Sequence, residues 1–130
     1  MDLKTKIAVA SKGPDDLDDV VSDLFGRSPY FVLVDVGGEK VRRVKCIKNE
    51  AAERQHGAGP LICTRLGRLG VNVAIGSNFG PTVSDILKEA GIQSITVSPG
   101  TKVKDAVQHY LKAHRSSTRG KISKTTGKRM

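Results

Sequence analysis

Three short stretches of this chain place backbone amides where a ligand could meet them. Ser11-Lys12-Gly13-Pro14, His56-Gly57-Ala58-Gly59 and Gly76-Ser77-Asn78-Phe79-Gly80 are small or glycine-rich, so other groups can approach the main chain closely. The second and third run into Pro60 and Pro81, residues suited to the first position of a helix. A helix N-terminus offers unpaired N–H groups and the positive end of the helix dipole, a combination that favours an anion. Ser11, Lys12, Gly13, Gly57, Gly59, Ser77, Asn78 and Gly80 are therefore candidate ligand-binding residues. Arg27 joins them, either to reach the same anion or to brace the start of the next strand against a carboxylate, and Asn49 and Glu50, leaving the third strand, are further candidates for the rim. A phosphate would suit such a site, and so would any other compact anion. The alternative reading is that the glycines only make tight turns.

Groups able to bind a metal are few. His56 is the one histidine in these loops, and imidazole is a good ligand for iron. As a ligand it would stand alone, which suits weak, exchangeable binding. His109 and His114 fall on the last helix and read as surface residues. Cys46 and Cys63 could in principle bind a metal as thiolates, yet each has apolar neighbours in sequence, where a free cysteine behaves as a small hydrophobe. They are too far apart for a Cys-x-x-Cys clip and too few for a disulfide framework.

The elements that must carry these residues follow from the hydrophobic pattern. Ile7-Ala8-Val9-Ala10 reads as a buried strand. Asp15-Asp16-Leu17-Asp18-Asp19 supplies acids for a helix N-terminus, and Leu17, Val20, Val21 and Leu24 share one helical face, with Gly26 as C-cap. Tyr30–Val36 and Lys40–Lys48 form a hairpin around Gly37-Gly38 whose outer arm, rich in Lys and Arg, suits a sheet edge. Helices opening at Pro60 and Pro81 alternate with strands over residues 71–76 and 92–97. Thr101 caps a last helix carrying Val103, Val107, Tyr110 and Leu111. The order β-α-β-β-α-β-α-β-α demands right-handed crossovers between parallel strands. The expected fold class is α/β, a mixed five-stranded sheet with one antiparallel strand and helices on both faces. The three glycine-rich loops should then meet outside the carboxyl ends of the parallel strands, where ligands of open α/β sheets gather.

Charge is unevenly placed. The chain has 130 residues and a net charge of +9. Arg115, Arg119, Lys121, Lys124, Lys128 and Arg129 lie in a terminal stretch without acids; setting those six aside leaves 16 basic against 13 acidic residues, or +3. The expected organisation is one α/β domain over residues 1–114 and a disordered basic tail over 115–130. Such a tail could bind nucleic acid non-specifically through phosphate contacts, but it lacks aromatics for base stacking. It could also attract acidic partner proteins. No apolar run approaches the roughly 20 residues of a membrane span, and no signal-peptide pattern opens the sequence. A cytoplasmic location, away from membranes, is expected.

The run Phe25-Gly26-Arg27-Ser28-Pro29-Tyr30-Phe31, followed in order by His56-Gly57-Ala58-Gly59, Gly80-Pro81 and Gly100-Thr101…Asp105-Ala106-Val107, resembles the dinitrogenase iron-molybdenum cofactor biosynthesis family. That family includes NifX, NifY, the C-terminal part of NifB and many stand-alone members. The resemblance covers roughly residues 5–114 and leaves the tail outside. It implies a ribonuclease H-like fold. It also implies transient binding or carriage of an iron–sulfur or iron–molybdenum-type cluster rather than catalysis, with proteins that donate or accept the cluster as partners. It does not imply nitrogen fixation. Clusters with thiolate or sulfide ligands are often anionic, which matches the electrostatics of the loops.

An enzyme is not expected. A nuclease of ribonuclease H-like fold holds metal ions on carboxylates at the centre of its sheet, whereas the first strand here has none and Asp35 has no acidic partner. No paired carboxylates, Ser-His-Asp set or activated cysteine can be assembled for chemistry on a phosphorylated small molecule. The expected function is a non-enzymatic carrier; the alternative is a nucleic-acid-associated protein acting through the tail.

Overall fold

The apolar runs become a single sheet. The computed structural model describes residues 4–53 and 56–120. Its strands are β1 (Lys4–Ser11), β2 (Tyr30–Gly37), β3 (Lys40–Lys48), β4 (Val73–Gly76) and β5 (Gln93–Thr96); its helices are α1 (Ala58–Arg68), α2 (Pro81–Glu89) and α3 (Val103–Gly120). The strand order is β3-β2-β1-β4-β5. β2 pairs antiparallel with both β1 and β3, whereas β1–β4 and β4–β5 are parallel. β2 is thus the single strand that opposes the others, and the mixed five-stranded sheet is as expected.

The alternation of side chains across the sheet sorts the core into two layers. Ile7, Val9, Val32, Val34, Val73 and Ile75 face α3, packing on Val103, Ala106, Val107 and Leu111. Ala8, Ala10, Phe31, Leu33 and Ala74 face the opposite way, beneath Ile62 and Leu66 of α1 and Val83 and Leu87 of α2. Both layers are largely aliphatic; the aromatics are a small phenylalanine cluster at one end of the layer under α1 and α2, and Tyr110 in the α3 layer. Helices therefore cover both faces, α1 and α2 on one and α3 on the other. The last helix runs past the boundary expected at His114; residues 121–130, the rest of the expected tail, lie outside the described residues.

The first expected helix does not form. Residues 16–18 make one 3₁₀ turn, and Val20 and Val21 then pair as isolated bridges with Lys102 and Ser11. Two causes are visible. The Asp19 carboxylate accepts hydrogen bonds from the amides of Gly13 (3.1 Å), Asp15 (3.0 Å) and Val20 (2.9 Å), which folds the segment back on itself and takes from Val20 the donor a helix would use. In addition, Val21 belongs to the core layer under α3, while Phe25 belongs to the layer under α1 and α2. The segment crosses the carboxyl end of β1 from one side of the sheet to the other, which one helical face cannot do. Leu24, required inside by the helical pattern, is 48% exposed.

Candidate ligand site at the carboxyl end of the sheet

All three phenylalanines of the chain gather beneath the carboxyl end of the sheet. Phe25 meets Phe31 edge-on at a centroid distance of 5.0 Å and Phe79 at 4.7 Å, separations at which aromatic pairs attract. Above this floor the loops close on one another. The Phe25 amide donates to the Asn78 carbonyl at 3.0 Å. A Cβ on Gly26 would lie 3.2 Å from Gly59 Cα, one on Gly59 would lie 2.6 Å from Val83 Cγ2, and one on Gly76 would lie 2.9 Å from Phe25 Cδ1. Glycine at 26, 59 and 76 is what lets residues 25–28, 57–59 and 76–80 pack at this distance.

Gly57 and Gly80 have another role. Each is the N-cap of a helix, α1 and α2 respectively, with φ of 76° and 75°, a region costly for other residues. A Cβ at either would meet nothing within 4 Å, so packing does not require glycine there. Neither N-cap supplies a side-chain oxygen to the first amides. The closeness of Gly59 to Val83 places the two N-termini side by side, and their dipoles reinforce one another. The open N–H groups at both helices face the same end of the molecule.

Buried polar side chains hold this frame. Asn49 is 3% exposed; its Nδ2 donates to the carbonyls of Gly26 (3.2 Å) and Ser28 (2.9 Å), while its Oδ1 accepts from the Ala51 amide (3.0 Å). The buried Ser28 hydroxyl lies 3.0 Å from the Ser11 carbonyl and 2.8 Å from that of Tyr30, and serves one at a time. Arg27 donates from Nη1 to the Ala52 carbonyl at 2.9 Å, so part of its guanidinium braces the 3₁₀ turn Glu50–Glu53.

The structure thus brings Ser11, Arg27, Gly57, Gly59, Ser77, Asn78 and Gly80 to one end of the sheet. His56 is exposed in the same loop, immediately before the α1 cap. Lys12 and Gly13 are drawn toward the acidic turn instead: Gly13 N–H is bound by Asp19, and Lys12 Nζ lies 4.0 Å from Asp23. Asn49, expected at the rim, is instead buried and braces the site from within, and Phe25 and Phe79 form its floor. Phe25 and Gly26 stood in the motif already singled out, but the hydrogen bonds of Asn49 cross more than twenty residues of sequence and leave no local pattern.

Cys46 and Cys63 are not brought together. Cys46 pairs with Val32 and so shares the α3 face, whereas Cys63 is buried under α1 on the other face. Burial pushes the Cys63 thiol up to about 11, and burial with nearby Asp16, Asp19 and Asp15 raises that of Cys46. Both hold their protons at neutral pH, whereas a metal ligand must be the thiolate. Among the described residues no three His, Cys, Asp or Glu side chains are grouped to hold a metal ion. No helix among them is long and apolar enough to cross a membrane.

Residues 4–113 match the family model described as dinitrogenase iron-molybdenum cofactor. The apo form of the orange protein from Desulfovibrio gigas superposes with a TM-score of 0.73 at 31% identity, covering 84% of this chain and 88% of that one. A candidate NifB protein from Thermotoga gives a TM-score of 0.68 at 32% identity, over 85% of this chain and 90% of its own. An uncharacterized protein of Methanocaldococcus jannaschii is 26% identical over 91 residues, which are 70% of this chain and 76% of the relative. With the family match spanning nearly all of the described residues, and its motifs meeting at one end of the sheet, the chain belongs to the dinitrogenase iron-molybdenum cofactor family.

Proposed function

We propose that this protein is a non-enzymatic carrier that binds an iron–sulfur or iron–molybdenum-type cluster, or its precursor, at the carboxyl end of the sheet. The observation that carries the reading is the pairing of the α1 and α2 N-termini, both capped by glycines with no capping side chain. Such a pair holds an anion through amides and dipoles. Arg27 adds a positive charge beside it, and His56 is the one exchangeable ligand. The donor set fits a cargo that arrives with its own sulfide or thiolate ligands and leaves again, and it does not fit a resident ion held by several side chains. The family supports cofactor handling, and the apo description of the orange protein speaks of a loaded form of that relative. The mixed sheet with its single opposed strand supports reading the fold as ribonuclease H-like. Proteins that donate or accept the cluster are the expected partners.

The test is anaerobic reconstitution of wild type and His56→Ala with iron and sulfide, counting both per chain after desalting. The reading expects metal and sulfide retained by wild type, with charge-transfer absorption, and largely lost from His56→Ala. Wild type that retains neither would end it.

A further inference from the structure

A cavity of about 630 Å³ lies at the opposite end of the sheet from the glycine loops. Lys4, Lys6, Asp35, Arg42, Arg43 and Asn72 line it, and Leu69 and Gly70, just after α1, close one side. Four cations against one carboxylate leave a charge of +3. Lys6 Nζ lies 3.9 Å from the Asp35 carboxylate, so the carboxylate is already shared.

The backbone of β3 explains why both arginines are there. In a regular strand Arg42 and Arg43 would point to opposite faces. The β2–β3 register pairs Asp35 with Arg43 but Val36 with Val41, which leaves Arg42 as the extra residue of a β-bulge. Val41 and Val44 consequently both pack on the α3 layer, and the two arginines between them both line the cavity on the other side. Gly37 completes the arrangement: a Cβ there would lie 3.1 Å from Arg42 Nε, so its absence gives the guanidinium room. Bulges commonly re-aim a side chain next to a site. A sheet edge protected by charge needs no cavity and no second arginine on the same face.

We propose that this basin is a second ligand site, for a multiply charged, phosphate-bearing small molecule, separate from the carboxyl-end site. Guanidinium groups match phosphate oxygens in pairs, and the volume falls in the range of small-molecule sites, roughly 300–1,000 Å³. The α1 carboxyl end brings partial negative charge, which the net positive charge outweighs. Asn72 Oδ1 accepts from the Lys6 amide at 2.8 Å and fixes the strand that carries the lysines.

The full chain would be titrated with inorganic tripolyphosphate at about 0.15 M ionic strength, where exposed charge is partly screened, and followed by amide NMR. The expected result is saturable shifts at residues 4–6, 35–37, 40–43 and 70–72. Arg42→Gln/Arg43→Gln, on exposed positions of an edge strand, should weaken binding about tenfold or more. Asp35→Asn, which removes the one carboxylate, should tighten it. Shifts confined to residues 115–130 or to the glycine loops would overturn the proposal, as would unchanged affinity in either variant.

Discussion

The two ends of the sheet are built to opposite plans. At the carboxyl end, glycines let three loops and two helix N-termini pack closely, and backbone amides face outward. At the amino end there is open volume, and long cationic side chains from two positions on β1 and two on β3 surround it. α1 joins the two, its N-cap Gly57 in one site and its C-cap Leu69 against the other. The first end is preorganised, because its donors are main-chain groups fixed by packing. The second depends on flexible side chains and is tuned by net charge. Substitutions should therefore injure the carboxyl end through the fold, and the amino end through affinity alone.

The largest effect is expected at Asn49. Replacing it by alanine leaves the carbonyls of Gly26 and Ser28 without their buried donor, at a cost of about 2–3 kcal/mol. Chemical denaturation would show this as a lower midpoint, and a change below 0.5 kcal/mol, roughly that of a surface substitution, would refute the bracing role. Gly59→Ala should cost about 1–3 kcal/mol through the clash with Val83, and it should reduce cluster retention as the helix N-termini part.

The thiol buried on α1 reports on the helix that links the two ends. Its folded value is raised to about 11 from 9.0, so the folded chain keeps a proton that the unfolded chain releases. The stabilisation is fully present below pH 9 and is lost as the pH rises toward 11, by at most about 2–3 kcal/mol. Comparing Cys63→Ala with wild type across that window isolates the contribution; parallel pH profiles would mean that the thiol is not buried in solution.

Smaller effects separate conformation from packing. Gly57→Ala meets no neighbour and should cost only the left-handed backbone, about 1 kcal/mol, less than Gly59→Ala. Equal losses would show that the two glycines do the same work. At the amino end, Asp35→Asn breaks a half-exposed ion pair and should shift stability by about 0.5 kcal/mol or less. A loss comparable to that of Asn49→Ala would contradict the division between a packed end and a side-chain end.

Much of the carboxyl end could be read from sequence, because glycine and proline announce their backbone roles locally. The strands, the hairpin and the helix opening at Pro81 followed from such signals, whereas α1 opens at Ala58, two residues before the start expected at Pro60, because Gly57 with its positive φ serves as the N-cap. The segment 15–25 misled because Leu17, Val20, Val21 and Leu24 fit a helical face, while the competing Asp19 contacts and the crossing of the sheet edge are tertiary. The amino-end basin was not foreseen. Its one local trace is the spacing of Val41 and Val44, three apart where strict alternation would place them two or four apart, and that trace becomes a bulge only once β2 is seen beside it.

The central claim, that the cargo sits on the paired helix N-termini, is tested most directly by loading the full chain anaerobically with iron and sulfide and mapping paramagnetic broadening of the amide resonances. The account predicts broadening centred on residues 25–28, 56–59 and 76–80, with residues 4–6, 35–43 and 70–72 left sharp. Broadening centred at the amino end or in residues 115–130 would contradict it.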